Sequence, residues 1–391
     1  MSPISAAVAS GRPTQGSASL GDSVANEVTR VRANKTALVM AGGTGGHIFP
    51  GLAVAQALRD AGWRVHWLGG PAPSMESRLI PPLGFAYEVV DFSGVRGKGL
   101  MTLAMLPWRL LRACWQSAVV VRRVKPDVVL GLGGYITVPA GMMCAVLGKP
   151  LIVHEQNSVA GMANKWLARV AAKAYTAFPD VIKRARWIGN PLRAEFLGRP
   201  EPATRYAMRR GPLRILVLGG SLGAKALNDV VPRALALIPE AQRPMVIHQS
   251  GQKQIDELRA NYAAAGVQAH LTPFIDDTAQ ALADTDLVIC RAGASTVTEI
   301  AAVGTAAVFV PFPSAVDDHQ TTNASFLVDQ GGGWLVQQDK LTPDRLARML
   351  EKADRPTLMA AAVAARKMEK TGATQRIVAA CDGLAGGRTT S

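Results

Sequence analysis

Two glycine-rich turns, each directly after a short apolar segment, constrain the fold of this chain more than any other feature. The first follows residues 37–41 and reads Gly-Gly-Thr-Gly-Gly-His over 42–47. The second follows residues 215–218 and reads Gly-Gly-Ser-Leu-Gly-Ala over 219–224. Glycine permits positive φ and lets a ligand approach the backbone closely. A helix that begins at such a turn directs its free N–H groups and positive dipole end toward that ligand. The pattern predicts two similar lobes that face one phosphate-bearing ligand.

Similar apolar segments alternate with helical stretches along both halves of the chain. Buried parallel strands read as near-continuous apolar runs with helices between them. We therefore predict an α/β protein of two doubly wound parallel-sheet domains, with ligand in the cleft beyond the carboxyl ends of the strands. The remaining predicted strands are 64–68, 126–131 and 150–153 in the first half and 244–248, 286–290 and 307–310 in the second.

The length of 391 residues accommodates two domains of roughly 100–200 residues each. Helix breakers between residues 188 and 214 mark the interdomain linker. Residues 1–33 are rich in Ser, Ala and Gly and lack the apolar core of a signal peptide, so we expect a flexible extension there. The predicted organisation is an extension at 1–33, a first domain at 34–192, a second domain at 193–370, and a last helix at 371–391 that packs on the first domain.

The formal net charge of +14 favours a nucleic acid, an anionic membrane or a phosphorylated substrate as partner. Aromatic residues make up only 5% of the chain and no nucleic-acid-binding module is recognisable, which argues against nucleic acid. The four cysteines are isolated from one another, as in reduced cytosolic proteins. No uncharged apolar run reaches the roughly 20 residues of a membrane span.

The glycine turns do not match the two commonest nucleotide motifs. The third glycine of a dinucleotide-binding G-x-G-x-x-G is replaced by Ile48, and no acidic residue ends the second strand. A Walker loop fails because Ala224 stands where its second glycine is required. Residues 291–299 are more informative, since small residues follow a predicted strand and Glu299 can accept hydrogen bonds from both ribose hydroxyls. This arrangement predicts a nucleotide-sugar site.

Six motifs, in order along the chain, resemble those of one family. The family is the N-acetylglucosaminyltransferases of peptidoglycan synthesis, in glycosyltransferase family 28, and the likeness spans about residues 35–385. The resemblance implies a GT-B fold and inverting transfer of GlcNAc from UDP-GlcNAc to the 4-hydroxyl of undecaprenyl-diphospho-MurNAc-pentapeptide (lipid I), which forms lipid II. It also implies a peripheral location at the cytoplasmic face of the inner membrane and contact with other cell-wall synthesis and division proteins. The motifs occupy 42–50, 131–135, 154–157, 189–191, 219–224 and 290–299.

The resemblance assigns binding roles by matching position. Thr44, Gly45 and Gly46 face the sugar and the acceptor, and Asn157 contacts one of the two. Arg193 and Ser221 hold the diphosphate, and Ile275 offers its backbone to uracil. The acceptor side comprises Gly133, Gly134, Tyr135 and His154. The nucleotide is lined by Ala294, Ser295, Thr296, Val297, Thr298 and Glu299, with Glu299 on the ribose, and Gln320 binds GlcNAc hydroxyls.

Inverting transfer requires a base for the acceptor hydroxyl. His47 is the first candidate, because it ends the first glycine turn and an unperturbed histidine pKa lies near working pH. Its alternative roles are capping the helix or contacting a phosphate. Glu155 is the second candidate, and its alternative role is to orient its neighbours by hydrogen bonds.

We predict neither a catalytic metal nor a cofactor. Asp284-Thr285-Asp286 resembles a metal-binding D-x-D, but it precedes a strand and therefore lies at the wrong edge of the sheet, as a solvated strand entry. Asp276-Asp277 and Asp317-Asp318 lack a third ligand at suitable spacing. His248 follows a strand and is interpreted as part of the rim, and His66 as a packed or edge residue.

A membrane-contacting helix is predicted between Leu100 and Lys125. Apolar and aromatic residues recur there at helical spacing, and residues 92–126 carry seven basic residues and no acidic one. Such a helix can lie on an anionic bilayer with its aromatics at headgroup level, or pack on the sheet with a solvated basic face. The residues predicted to contact the membrane are Trp108, Leu111 and Arg112.

Other functions share parts of this pattern. A UDP-GlcNAc 2-epimerase or a glycolipid synthase would have a similar donor site but would lack the acceptor-side motifs at 133–135 and 154–157. A two-lobed protein that binds a nucleotide-sugar without chemistry would bind UDP but give no turnover. A membrane-associated scaffold of the wall-building machinery would likewise show no transfer.

Overall fold

Two parallel sheets form the framework of the computed structural model, which describes residues 35–92, 104–220, 223–315 and 318–386. Every strand pairing in both sheets is parallel. The first sheet contains β1 (Thr36–Met40), β2 (Arg64–Gly69), β3 (Ala86–Val89), β4 (Val128–Gly131), β5 (Leu151–Glu155), β6 (Lys173–Thr176) and β7 (Arg186–Trp187), in the order β3-β2-β1-β4-β5-β6-β7.

The second sheet repeats this design with its first strand again near the centre. It contains β8 (Arg214–Leu218), β9 (Met245–Gln249), β10 (His270–Thr272), β11 (Leu287–Cys290), β12 (Ala306–Phe309) and β13 (Gly333–Leu335), in the order β10-β9-β8-β11-β12-β13. The predicted fold class, two doubly wound parallel-sheet domains, is confirmed.

Helices cover both faces of the first sheet because its central strands are buried on both sides. Along β1, Ala37 and Val39 pack on one face, while Leu38 and Met40 pack on the other. The described helices of this domain are α1 (Gly45–Asp60), α2 (Met75–Leu79), α3 (Leu106–Val124), α4 (Thr137–Val146) and α5 (Met162–Leu167). Helix α3, predicted from Leu100, is described from Leu106, and residues 93–103 lie outside the described part.

The second sheet is enclosed in the same way, with Ile215 and Val217 of β8 in one core and Leu216 in the other. Its helices are α6 (Pro202–Ala207), α7 (Lys225–Leu237), α8 (Ile255–Ala265), α9 (Thr278–Asp284), α10 (Ala294–Val303), α11 (His319–Val328), α12 (Pro343–Glu351) and α13 (Arg355–Lys367).

The chain crosses between the domains twice, in the segment before α6 and again after α13. After the second crossing, α14 (Ala373–Gly386) packs against α1 and buries Ile377 and Cys381 in the core of the first domain. Phe326 of α11 meets Phe178 edge-on at 5.0 Å between ring centroids. This ring contact joins the two domains.

Candidate active site

The first glycine turn places His47 in the first turn of α1, beyond the carboxyl end of β1. Its Nδ1 lies 3.2 Å from the carbonyl oxygen of Gly42 and 3.3 Å from Oγ1 of Thr44. Because a carbonyl only accepts, the neutral ring carries its proton on Nδ1 and has its lone pair on Nε2. Burial lowers the pKa of His47 below 6.5, although the negative charge of Glu155 opposes this shift. His47 is therefore neutral at pH 7, with Nε2 able to accept a proton.

The predicted acceptor-side loop packs directly on this turn. Gly133 has φ of +107°, and a Cβ there would lie 3.0 Å from Nε2 of His47. Gly134 has φ of +92°, and a Cβ there would lie 2.5 Å from the carbonyl oxygen of Gly42. Glycine is therefore required at both positions. The neighbouring Tyr135 is half exposed, and the loop and the candidate base form one surface.

Glu155, the second candidate base, is buried and holds the loop that follows β5. Its Oε1 accepts from the backbone N–H of Asn157 at 2.9 Å. Its Oε2 accepts from the N–H of Gly161 at 3.0 Å and from Nδ2 of Asn164 at 2.9 Å. These donors occupy both oxygens of a carboxylate that is 1% exposed. The geometry favours the orienting role, with Asn157 presented to the cleft.

His154, predicted on the acceptor side, has its side chain enclosed by protein instead. It is 0% exposed, and its Nε2 lies 2.9 Å from the carbonyl oxygen of Gly189 in the linker. Burial lowers the pKa of His154 to about 4, so the ring is neutral and donates from Nε2. His154 therefore ties β5 to the first interdomain crossing and does not reach a ligand.

Gln249, at the end of β9, holds the second glycine turn. Its Oε1 accepts from the N–H groups of Gly219 and Gly220, each at 3.1 Å. Its Nε2 donates to the carbonyl oxygen of Gly220 at 3.0 Å. The side chain thus fixes the backbone of the turn that is predicted to approach the ligand. Ser221, predicted to hold the diphosphate, lies outside the described residues.

Helix α10 begins after β11 and directs its first backbone N–H groups into the cleft. The Ser295 hydroxyl there is enclosed and has no hydrogen-bond partner within the described ranges. Ala294 and Thr296 share this first turn. Two other predicted nucleotide contacts have side chains that are turned into the protein. Val297 packs in the apolar core, and Oγ1 of Thr298 donates to the carbonyl oxygen of Ala294 at 2.9 Å. Their side chains support the helix.

Glu299, in the second turn of α10, lies close enough to Arg193 for their charges to interact. Burial raises the pKa of Glu299 to about 7, although the positive charge of Arg193 opposes the shift. Arg193 pairs with Glu195 at 2.8 Å, and its guanidinium lies 6.0 Å from the ring centroid of Phe49 in α1. Arg193 therefore lies at the junction of the two domains, next to the predicted nucleotide site.

Gln320, in the first turn of α11, uses its carbonyl end within the protein. Oε1 accepts from the N–H of Phe312 at 2.9 Å and of Ala292 at 3.3 Å. Its Nε2 is the end that remains to donate to a sugar hydroxyl. Ile275 lies in the loop before α9, where its carbonyl oxygen is 3.4 Å from Oγ1 of Thr278.

The Asp284-Thr285-Asp286 segment lies at the opposite end of the second sheet from the glycine turns. Asp286 is fully buried and pairs with Arg209 at 2.9 Å and Arg355 at 3.3 Å. It also accepts from the backbone N–H of Arg214 at 2.8 Å. The expectation of a solvated strand entry was wrong for Asp286, which joins the segment after α6 to β8 and α13. Across the described ranges, no group of three His, Cys, Asp or Glu residues is placed to hold a metal ion.

The comparison with family models decides the assignment. The model of the glycosyltransferase family 28 N-terminal domain matches residues 37–176, and that of the C-terminal domain matches residues 214–377. The chain belongs to glycosyltransferase family 28. The resemblance inferred from the six motifs is confirmed, and each glycine turn falls within one of the two family domains.

Relatives within this family are similar over nearly their whole length. A protein of Polaromonas sp. is 70% identical over 379 residues, which cover 96% of this chain and 98% of the relative. A protein of Albidiferax ferrireducens is 71% identical over 351 residues, covering 89% and 90%. Both are named UDP-N-acetylglucosamine--N-acetylmuramyl-(pentapeptide) pyrophosphoryl-undecaprenol N-acetylglucosamine transferase. The crystal structure of Acinetobacter baumannii MurG is 40% identical with a TM-score of 0.79, covering 89% of this chain and 99% of that one.

Sequence reasoning missed one carboxylate of this family 28 site. Glu76 of α2 is buried beneath the first glycine turn, where it accepts from the N–H groups of Gly43 at 3.2 Å and Gly70 at 3.1 Å. Its charge also raises the pKa of His47. The only signal in the sequence was the glycine pair Gly69-Gly70 at the end of β2.

Glu299 predicts a pH dependence of nucleoside binding. A carboxylate that accepts from two ribose hydroxyls must be ionised, whereas the pKa of Glu299 is about 7 in the free protein. The affinity for uridine should therefore decrease as the pH is lowered from 7, with a slope that approaches roughly tenfold per pH unit. Calorimetry with uridine between pH 5.5 and 8.5 measures this, and uridine avoids titration of the phosphates of UDP. Glu299→Gln should bind weakly at every pH without this slope.

Thermal unfolding of the same two proteins provides a check. Because the folded-state pKa of Glu299 lies above its ordinary 4.5, the folded protein holds more protons than the unfolded chain between pH 4.5 and about 7. The stability contributed by Glu299 is full below pH 4.5 and is lost as pH rises through 7. The Tm of Glu299→Gln minus the Tm of the parent should therefore be larger at pH 8 than at pH 5. A pH-independent difference contradicts the assignment.

Proposed function

We propose that this protein transfers GlcNAc from UDP-GlcNAc to the 4-hydroxyl of the lipid-linked MurNAc-pentapeptide, with inversion at the sugar C1. The relatives that are about 70% identical carry the name of that transferase. The observation that carries the proposal is the position of His47, which is neutral and faces the donor domain across the cleft. His319 of α11 is close enough for its charge to lower the pKa of His47 further.

The acceptor half of the reaction requires removal of one proton. The acceptor oxygen attacks C1 of GlcNAc, the bond from C1 to the β-phosphate oxygen breaks, and UDP leaves with the bonding electrons. The hydroxyl proton passes to Nε2 of His47. Nδ1–H remains bonded to the carbonyl oxygen of Gly42, which fixes the ring orientation. The negative charges of Glu155 and Glu76 favour the imidazolium that forms.

The donor half requires stabilisation of the departing diphosphate. The first N–H groups of α10, the enclosed Ser295 hydroxyl and the Arg193 guanidinium supply donors and positive charge on the donor side. Such preorganised donors stabilise developing charge by roughly 3 kcal/mol each. Charge that builds on UDP as the bond breaks is therefore met by groups already in place.

Incubation of the protein with labelled UDP-GlcNAc and a lipid I analogue tests the proposed reaction. Label should appear in a disaccharide lipid, and the anomeric configuration of the product reports inversion. Label that appears only as free GlcNAc or as an epimerised donor sugar would contradict the proposal. UDP binding without turnover would instead support a nucleotide-sugar-binding protein or a scaffold.

We further propose that α3 contacts an anionic membrane surface, since the acceptor is a polyprenyl lipid. The inner face of α3 packs on the sheet, whereas Trp108, Leu111 and Trp115 on its outer face are 71%, 64% and 68% exposed. Arg112 lies beside this stripe and pairs with Asp91 at 3.5 Å. Among the described residues, none of the helices is sufficiently long and apolar to span a bilayer. An exposed apolar stripe flanked by basic residues suits reversible binding at a lipid surface.

The membrane proposal predicts the behaviour of a triple variant. Trp108→Ser, Leu111→Ser and Arg112→Gln together should weaken binding to phosphatidylglycerol vesicles by roughly tenfold or more, because apolar insertion and a basic contact are both lost. Vesicle cosedimentation measures the change. The matched control replaces two exposed apolar residues and one arginine of the second domain, Met208→Ser, Leu237→Ser and Arg210→Gln, and should bind like the parent. Unchanged binding by the α3 variant rejects the proposal.

A further inference from the structure

Ser158, in the loop after β5, is bonded directly to helix α11 of the second domain. Its backbone N–H donates to Oδ1 of Asn323 at 2.8 Å. Its Oγ lies 2.7 Å from the same oxygen and 2.7 Å from Oγ1 of Thr322. Asn323 is 0% exposed, so its two bonds with Ser158 are partly buried, whereas the bond between Ser158 and Thr322 lies at the surface. They join the two domains beside the active-site cleft.

The other end of the Asn323 amide reaches the donor-binding segment. Nδ2 donates to the carbonyl oxygen of Ala292 at 3.1 Å and lies 3.4 Å from Oδ1 of Asn157. The N–H of Ala292 donates in turn to Gln320 of the same helix at 3.3 Å. Helix α11 thus binds both the backbone N–H and the carbonyl oxygen of Ala292. Ala292 leads, through Gly293, into the N-terminus of α10.

The first-domain end of this contact is also fixed. Glu155 accepts from the N–H groups of Asn157 and Gly161, which flank Ser158 in the loop. His154 fastens the same strand to the linker through Gly189. Movement of one domain against the other is therefore transmitted through Ser158 to α11 and is not absorbed by a loose loop.

We propose that Ser158 and Asn323 form a latch that couples closure of the cleft to the position of the α10 N-terminus. Asn323 is then a positioning residue for transfer, because one amide group binds the first domain through Oδ1 and the donor-binding segment through Nδ2. With the latch open, the diphosphate donors of α10 and His47 are no longer held in register. The kinetic part rests on the proposed transfer, while the closure part is independent of it.

Ser158→Ala tests the latch without touching Ala292, because it removes both bonds of the Ser158 hydroxyl and keeps only the backbone N–H bond to Asn323. We expect kcat to fall about tenfold, as for loss of about 1.4 kcal/mol of hydrogen bonding, with little change in KM for UDP-GlcNAc. Asn323→Ala should lower kcat further and also raise KM, since both ends of the amide are lost. The double variant should be no worse than Asn323→Ala alone, and Ser158→Thr, which keeps the hydroxyl, should retain most activity.

Small-angle X-ray scattering with saturating UDP supplies a readout that a local structural role would not move. The radius of gyration should be larger for Ser158→Ala than for the parent. Ser325→Ala is the matched control, because Ser325 is a partly buried residue of α11 outside the latch, and it should match the parent in both assays.

Three results are decisive. Parent-like kcat and radius of gyration in Ser158→Ala overturn the latch, and so does a loss of kcat at unchanged radius of gyration. If the parent protein transfers no sugar but Ser158→Ala still has the larger radius of gyration, the latch is supported and the proposed function is rejected.

Discussion

Replacement of His47 by alanine should lower kcat for sugar transfer by roughly 10²–10⁴-fold, the usual contribution of a positioned general base. The expectation follows from the Nδ1–H bond to the carbonyl oxygen of Gly42, which leaves Nε2 as the accepting atom. UDP affinity should change little, because this turn is predicted to face the sugar and the acceptor. Steady-state kinetics with a lipid I analogue, together with calorimetric binding of UDP, separate the two effects.

His66→Ala is the matched control for this experiment. His66 is a partly buried histidine of β2 whose Nδ1 lies 3.0 Å from Glu88, within the same domain but away from the cleft. It should transfer at the parent rate. If His47→Ala keeps more than a tenth of the parent kcat, the base must be another group, and Glu155→Gln becomes the next variant to measure.

The fold could be predicted from the sequence because a strand that is buried on both faces has a continuous apolar sequence. Strands such as β1 and β11 have no exposed residue, and the sequence shows unbroken apolar runs in them, at 37–40 and 287–290. Short or edge strands have no such run. β3 and β7 contain exposed and partly buried residues, and they were found only in the structure.

The backbone of the candidate site was predictable where glycine itself is required, as at Gly133 and Gly134. The side chains that hold those turns were not. Glu76 and Gln249 each accept from the backbone N–H groups of a glycine turn about 30 residues earlier in the sequence. In a sequence, a single buried polar residue looks like any surface residue. Only the fold brings such a group beneath a turn, where its partners become visible.

Motif membership also gave no information about side-chain direction. His154 and Val297 lie within matched motifs, yet the first is sealed against the linker and the second packs in the apolar core. In both segments, buried residues that support the backbone or pack in the core stand next to partly buried ones. A motif therefore marks the segment that forms a site, while the periodicity of the strand or helix decides which of its side chains reach it.

Gly134→Ala should destabilise the first domain and abolish most transfer. An alanine at φ of +92° is strained, and its Cβ would lie 2.5 Å from the carbonyl oxygen of Gly42, which is backbone and cannot rotate away. Strain and overpacking together predict a loss of about 2–5 kcal/mol. Because the same oxygen accepts from Nδ1 of His47, displacement of the turn also moves the base. Denaturant unfolding and the transfer assay measure the two losses.

Gly148→Ala separates backbone strain from collision. Gly148 has φ of +62° and no atom within 4 Å of the added Cβ, so only the strain of about 1–2 kcal/mol applies and transfer should persist. Gly133→Ala is intermediate, since its Cβ would meet the His47 ring at 2.9 Å, and a ring can turn where a carbonyl cannot. It should therefore lose activity with less loss of stability than Gly134→Ala. Equal losses of stability in Gly134→Ala and Gly148→Ala would mean that the Gly134 loop is not packed on the Gly42 turn. The structural support proposed for His47 would then be absent.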